Sequence, residues 1–202
     1  MLQVGAVDRI GVVVLAGGRS SRFGSDKTRA ELSGSAVLDH VLGAVAAART
    51  LVPLDDAVVV GPWAPPGVRH EVEPVRFLGP AAAVAHGLAV VGAGRSLVVA
   101  GDHPALVPDL LALLVARMGS TSTADAVVPI GPSGPEPLVA CYRAEVATVA
   151  ARRVDDGHRS MRGLLDELRV EWVEPPEWSV VDPDGVSFLD VDAPEDLARF
   201  EP

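Results

Sequence analysis

The stretch that decides the fold is the first apolar run of the chain together with the loop that follows it. The run is Ile10-Gly11-Val12-Val13-Val14-Leu15, and the loop is Ala16-Gly17-Gly18-Arg19-Ser20-Ser21-Arg22-Phe23-Gly24-Ser25-Asp26-Lys27. A short, nearly continuous apolar run is typical of a strand buried on both faces of a parallel sheet. Three glycines let the backbone N–H groups of the loop approach a ligand, and Arg19, Arg22 and Lys27 add positive charge. The pattern predicts either a phosphate-binding loop or a solvated connector.

Further apolar runs follow at 57–60, 96–100, 126–130 and 138–142. They alternate with segments that have apolar residues at helical spacing, at 37–49, 81–91, 107–118 and 144–152. Pro80 and Pro108 lie where the first residue of a helix is expected. This alternation predicts one α/β domain over residues 1–202, doubly wound, with a mostly parallel sheet and helices on both faces. Ligands of such folds bind beyond the carboxyl ends of the strands.

The last third of the chain is less regular. We expect a helix over 155–168, a loop rich in Pro and Asp over 174–185, a short strand at 187–191 and a final helix from Pro194. No linker divides the chain into two units.

Composition excludes several classes of protein. A hydrophobic share of 49% with 22% charged residues excludes a disordered chain. The net charge of −10 argues against nucleic acid or an anionic membrane as a partner. The single cysteine, Cys141, excludes an internal disulfide, and neither a signal peptide nor an apolar run of membrane-spanning length is present. We therefore expect a cytoplasmic protein.

The loop resembles the signature of the small nucleotidyltransferases, L-A-G-G-x-S-x-R-M-G-x-D-K. It differs from the P-loop, in which Lys follows the second Gly directly, and from the dinucleotide fingerprint G-x-G-x-x-G. The loop matches the signature at Leu15, Ala16, Gly17, Gly18, Ser20, Arg22, Gly24, Asp26 and Lys27, with Phe23 in place of Met. Within that superfamily the chain is most similar to the molybdenum cofactor guanylyltransferases. The similarity continues through Gly79-Pro80, Gly101-Asp102-His103-Pro104, 137–142 and 190–197.

The resemblance implies a Rossmann-like nucleotidyltransferase fold and the transfer of GMP from GTP to molybdopterin, with release of pyrophosphate. It implies that the N-terminal part binds the nucleotide and that the C-terminal part binds the acceptor. Lys27, Arg22 and Asp102 would be the catalytic residues, and Asp102, with Asp192, would bind Mg²⁺. Arg159 and Arg162 are the candidate acceptor-binding residues. The residues expected to bind the nucleotide are Leu15, Ala16, Gly17, Gly18, Arg19, Ser20, Arg22, Lys27 and Gly79.

Several alternatives stay open. Asp102 could cap a turn, Asp192 could cap the last helix, and Arg159 and Arg162 could be solvated. If 187–191 is a strand, alternation places Asp190 and Asp192 on one face.

The chain also departs from the guanylyl pattern. Gly61 stands where that group has an Asn that reads the base, and Asp190 and Asp192 stand where it usually has Asn. Cytidylyl or other nucleotidyl transfer to a different phosphorylated acceptor is therefore an alternative. A non-catalytic nucleotide-binding regulator is a further one.

Single residues of other kinds give weaker signals. Lys27 is the one lysine beside 16 arginines, as expected if a compact ammonium has to fit among phosphates. His103 could contact a metal-bound phosphate, and Cys141 is expected to be an inert buried thiol.

Overall fold

The computed structural model describes residues 9–18, 23–24, 26–74 and 78–200. In these ranges the strands are β1 Ile10–Leu15, β2 Glu31–Leu32, β3 Ser35–Ala36, β4 Leu54–Val60, β5 Arg69–Glu71, β6 Arg95–Ala100, β7 Ala126–Gly131, β8 Gly134–Pro135, β9 Val139–Arg143 and β10 Val170–Val173. The α-helices are α1 Val37–Ala48, α2 Pro80–Val91, α3 Pro108–Arg117, α4 Val146–Asp155, α5 Met161–Leu165 and α6 Pro175–Trp178. Short 3₁₀ helices lie at Lys27–Arg29, Val186–Phe188 and Pro194–Arg199.

One mixed sheet organises the fold, in the order β10-β7-β9-β6-β1-β4-β5, with β8 paired to β7. β1 is parallel to both of its neighbours, β4 and β6, and β9 is antiparallel to β6 and β7. The prediction of a doubly wound, mostly parallel sheet is therefore confirmed. The antiparallel strand β9 follows the short β7–β8 hairpin, so the connection from β7 to β9 needs no crossover helix.

Helices cover both faces of the sheet and form two apolar cores. Alternate residues of β1 enter different cores, with Val12 and Val14 in one and Val13 and Leu15 in the other. The first core includes side chains of α1, α3 and α6, and the second includes side chains of α2, α4 and α5. Because both faces of β1 and β6 are covered, every residue of these two strands is buried. Burial on both faces explains why the run at 10–15 is nearly continuous in apolar residues.

Four central helices lie close to their predicted positions, and α2 and α3 begin at Pro80 and Pro108 as expected. The helix predicted over 155–168 is wrong in extent. Helix α4 ends at Asp155, and within 156–168 only Met161–Leu165 is α-helical. Gly157 has a φ of 86°, a left-handed conformation that ends the preceding helix. Ser160 then caps α5 by accepting a hydrogen bond from Gly163 N.

The strand predicted at 187–191 is wrong. Val186–Phe188 is a 3₁₀ helix, because the buried carboxylate of Asp182 accepts hydrogen bonds from Val186 N and Ser187 N, each at 3.0 Å. These bonds close a tight turn in place of a sheet ladder. The final helix from Pro194 is 3₁₀, and α6 lies inside the predicted loop over 174–185.

Over the described residues, the helices are all too short or too polar to cross a membrane.

Candidate active site

Both ends of the glycine-rich loop are fixed by hydrogen bonds. Where the loop leaves β1, Ala16 N donates to Val60 O and Gly101 N donates to Leu15 O, each at 2.8 Å. Leu15 and Ala16 are therefore tied to the carboxyl ends of β4 and β6. At the other end, Asp26 caps the 3₁₀ helix by accepting from Thr28 N at 3.1 Å.

Of the residues expected to bind nucleotide in this loop, Gly17 and Gly18 are exposed beyond the strand end. Arg19, Ser20 and Arg22 lie outside the described residues.

Lys27 connects the end of the loop with two aspartates from distant parts of the chain. Its Nζ lies 2.5 Å from Asp102 Oδ2 and 2.8 Å from Asp192 Oδ1, and its side chain is only 16% exposed. Burial by itself lowers the pKa of Lys27, but the charges and hydrogen bonds of Asp102 and Asp192 outweigh it and raise the pKa above its ordinary value. Lys27 is therefore an ammonium at neutral pH.

Three carboxylates meet at this lysine. Asp102, Asp190 and Asp192 each place an oxygen within 4.8 Å of the others, and all three are partly exposed. Asp102 follows β6, and Val191 N donates to Asp102 O at 2.9 Å, which fixes the C-terminal segment beside the strand end. The prediction that Asp190 and Asp192 share one face assumed a strand at 187–191. The structure brings the two side chains together, but the segment is not a strand. Asp190 is thus a member of the cluster that the predicted metal-ligand set leaves out.

The alternative that Asp192 caps the last helix is wrong. The N-cap residue of the 3₁₀ helix Pro194–Arg199 is Ala193, and Asp196 Oδ2 accepts from Asp192 N and Ala193 N at 2.9 and 2.8 Å. The carboxylate of Asp192 accepts a hydrogen bond from Lys27 Nζ at 2.8 Å and makes no cap.

His103 packs beside the cluster. It is 8% exposed, and its Nδ1 lies 3.0 Å from the carbonyl oxygen of Ser187. Because a carbonyl oxygen only accepts, Nδ1 carries the proton and donates. Nε2 then faces Asp102 Oδ1 at 3.8 Å, beyond hydrogen-bond distance. The hydrogen bond of His103 therefore ties it to Ser187 and not to Asp102.

Gly79 and the two candidate acceptor arginines lie on the opposite face of the sheet from α1. Gly79 has a φ of 100° and precedes Pro80 at the start of α2, a conformation that side chains rarely adopt. A methyl group at Gly79 would lie 3.3 Å from Arg159 Cβ, so the structure brings Arg159 to the N-terminus of α2. Arg162 lies exposed on α5.

Two features of the site escape the sequence analysis. Any side chain at Gly61 would place its Cβ 2.7 Å from the carbonyl carbon of Ala16, so glycine is required there for close packing. A methyl group at Gly17 would lie 3.2 Å from Glu73 Oε2, which places that carboxylate at the entrance of the loop. Nothing in the sequence near Glu73 marks it, because its position depends on how the chain returns after β5.

The donor set fits a hard divalent cation. Carboxylate oxygens are the side-chain ligands that Mg²⁺ prefers, and Mg²⁺ is usually held by one or two of them together with substrate phosphates. The three aspartates lie beside Lys27, close to the end of β6. A buried ammonium and converging carboxylates at the carboxyl ends of parallel strands define an α/β protein that binds its ligand at this edge of the sheet.

Comparison with known proteins specifies this class. Residues 12–172 match the family described as the MobA-like NTP transferase domain. The chain is 32% identical to a probable molybdenum cofactor guanylyltransferase of Chloroflexus aggregans, over 92% of this chain and 90% of the relative. It is 28% identical to a molybdenum cofactor guanylyltransferase of Desulfosudis oleivorans, over 96% of each chain. The chain therefore belongs to the MobA-like NTP transferase family, whose reaction class is nucleotidyl transfer.

The fold is shared with solved structures. The crystal structure of molybdopterin-guanine dinucleotide biosynthesis protein A from Archaeoglobus fulgidus superimposes with a TM-score of 0.81 at 26% identity, over 95% of this chain and 97% of that one. A nucleotidyl transferase from Methanothermobacter thermautotroptrophicus is similar in fold, with a TM-score of 0.72 at 20% identity over 95% of each chain.

Proposed function

We propose that this protein transfers GMP from GTP to molybdopterin and releases pyrophosphate. The observation that carries the proposal is the position of Lys27. Its ammonium is held against Asp102 and Asp192 at the carboxyl ends of the central strands, directly beyond the glycine-rich loop. The relatives named as molybdenum cofactor guanylyltransferases support the choice of nucleotide and acceptor.

The proposed reaction needs no general base. A phosphate oxygen of the acceptor is already ionised at neutral pH, so it attacks the α-phosphorus directly. A new P–O bond forms there, the bond to the β-phosphate bridging oxygen breaks, and pyrophosphate leaves with the electron pair. Backbone N–H groups of Gly17 and Gly18 would hold the phosphates, and Lys27 and Arg22 would offset charge on the α-phosphate and the leaving group.

Asp102, Asp190 and Asp192 would hold Mg²⁺, which would supply charge neutralisation and a fixed orientation of the phosphates. Lys27 would then move from these carboxylates toward the nearby phosphates, because a triphosphate carries more negative charge than the carboxylates of Asp102 and Asp192. Arg159, which lies at the start of α2, is the better placed of the two proposed acceptor residues.

Guanine is favoured over cytosine by the chemistry of Glu73. A carboxylate accepts hydrogen bonds from two adjacent donors, and guanine presents such a pair at N1–H and the 2-amino group. Cytosine offers acceptors at the corresponding positions, which a carboxylate repels. The crowding at Gly61 prevents any side chain there from reading the base, so the reading has to come from another residue.

The direct test is a panel of the four ribonucleoside triphosphates. We expect GTP with Mg²⁺ to raise the melting temperature most, and GTP with molybdopterin to release pyrophosphate. Stabilisation by CTP in place of GTP, together with pyrophosphate release from CTP, would instead establish cytidylyl transfer. Stabilisation without pyrophosphate release from any triphosphate and acceptor would support a non-catalytic nucleotide-binding regulator. If no triphosphate stabilises the chain, the proposal fails.

A further inference from the structure

The turn at 61–63 contacts both ends of the glycine-rich loop. Gly61 packs so closely on Ala16 that a Cβ would lie 2.7 Å from its carbonyl carbon. Two residues later, Trp63 Nε1 donates a hydrogen bond to Thr28 Oγ1 at 3.1 Å. A single short turn after β4 therefore fixes the point where the loop begins and the point where it ends.

Thr28 links Trp63 by hydrogen bonds to the residues around Lys27. Its side chain is buried, at 4% exposure, and its one hydroxyl proton is donated to Asp26 Oδ1 at 2.7 Å. The oxygen of that hydroxyl is therefore the acceptor for Trp63, which gives a directed chain from Trp63 through Thr28 to Asp26. Asp26 also accepts from Thr28 N at 3.1 Å, which closes the turn on both sides of Lys27.

A second contact acts on the same turn. The guanidinium of Arg29 lies 5.1 Å from the centre of the Trp63 ring, within range of a cation–π interaction. Trp63 is half-buried and packs against the core that contains Val12 and Val14. The ring therefore packs on the core of the sheet. Its N–H group binds Thr28 and its face contacts Arg29, the two residues that follow Lys27.

From these contacts we propose that Trp63 is a positioning residue for Lys27. The ammonium of Lys27 has to contact carboxylates from two other parts of the chain. A small shift of the backbone in its turn would therefore displace Nζ by a larger distance. Trp63 removes that freedom by tying the turn to the segment that follows β4. The expected effect on turnover depends on the proposed function, whereas the effect on the loop itself does not.

The first experiment uses the fact that Lys27 is the single lysine. Endoproteinase Lys-C can cut the chain only after this residue, so the cleavage rate reports opening of the turn. Trp63→Phe keeps an aromatic ring but deletes the indole N–H donor. Thr28→Val removes the acceptor with little change of shape, and it also removes the hydroxyl bond to Asp26. We expect Trp63→Phe to be cut about three- to tenfold faster, the effect of one lost hydrogen bond, and Thr28→Val at least as fast. Thr28→Ser keeps the hydroxyl and should be cut at the native rate.

The matched control is Trp178→Phe. This change deletes the same kind of donor from another buried tryptophan, whose Nε1 donates to Ile130 O at 2.8 Å. It should lower the melting temperature and leave the Lys-C rate below that temperature unchanged. Equal acceleration in Trp63→Phe and Trp178→Phe would overturn the proposal, because a general loss of stability would then explain both. Native rates in Trp63→Phe and Thr28→Val would overturn it as well.

The second experiment measures pyrophosphate release well below the melting temperature. We expect kcat/KM for GTP to fall about three- to tenfold in both Trp63→Phe and Thr28→Val. The double variant should lose no more than Thr28→Val alone, since that change already breaks the bond from Trp63. Unchanged kcat/KM in the two single variants would refute the positioning role even if both melt earlier. If the wild-type protein releases no pyrophosphate with any triphosphate, the proposed function fails, and the Lys-C comparison still decides the role of Trp63.

Discussion

Replacing Lys27 by methionine should affect metal binding and turnover in opposite directions. Methionine is close to lysine in length and carries no charge, so the change removes the ammonium that lies 2.5 Å from Asp102 and 2.8 Å from Asp192. In the native protein, a divalent cation that binds these carboxylates has to compete with this resident charge. Without the ammonium, the aspartates repel one another, and free metal ion binds in its place.

The size of the effect follows from the distances. A cation bound to the same carboxylates would lie within about 4 Å of Nζ, and its repulsion by one positive charge there amounts to at least about 2 kcal/mol even in bulk water. Lys27→Met should therefore bind free Mn²⁺ about thirtyfold more tightly than the wild type. Turnover should fall about 10²- to 10³-fold, because one charge-stabilising group has been lost.

Electron paramagnetic resonance of Mn²⁺, titrated without nucleotide, measures the first effect, and pyrophosphate release measures the second. Asp102→Asn is the control that should weaken Mn²⁺ binding. Equal Mn²⁺ affinity in Lys27→Met and the wild type would refute the idea that the lysine occupies the cation site. Near-normal turnover in the variant would refute its catalytic role.

Four further expectations concern other parts of the molecule. Asp190→Asn should weaken Mn²⁺ binding about fivefold or more in the same titration, through the loss of one nearby negative charge. Glu73→Gln should raise the KM for GTP about tenfold and lower that for CTP, because the charge that repels the acceptors of cytosine is lost, and steady-state kinetics would reveal both changes. Cys141 is fully buried and its burial raises the pKa of the thiol, so thiol reagents should label it only after unfolding, as mass spectrometry can show. Hydrogen bonds from Arg169 lower the pKa of Asp125, so Asp125→Asn should reduce the melting temperature by a few degrees at neutral pH, and the difference should shrink as the pH falls through the lowered pKa of this carboxyl.

Much of the fold could be predicted from the sequence because its central elements are buried on both sides. Strands β1 and β6 are covered by helices on each face, and this burial produces the continuous apolar runs from which they were predicted. The edge strands give no such signal. Arg69–Glu71 is polar and partly exposed, and Val170–Val173 contains an exposed Trp172, so neither has the pattern of a buried strand.

The candidate site was predictable where its residues belong to a local motif. Lys27 and Asp102 each follow a recognisable strand, and the structure brings their charged groups together. The direction of Asp192 was not predictable, because it depends on the contact of its segment with Asp102, which lies far away in sequence. Glu73 lies beside Gly17, and Trp63 donates a hydrogen bond to Thr28. Both come from far away in sequence, and a local sequence pattern does not predict such contacts.

The hydrogen bond from Val191 N to Asp102 O has a consequence for the order in which the protein matures on the ribosome. All ten strands of the described chain lie before residue 174, so the sheet and the glycine-rich loop can form while the last segment is still inside the exit tunnel. Asp190 and Asp192 emerge only afterwards. A nascent chain can therefore have its sheet in place and still lack two of the three clustered carboxylates, so that the acidic cluster forms after the sheet.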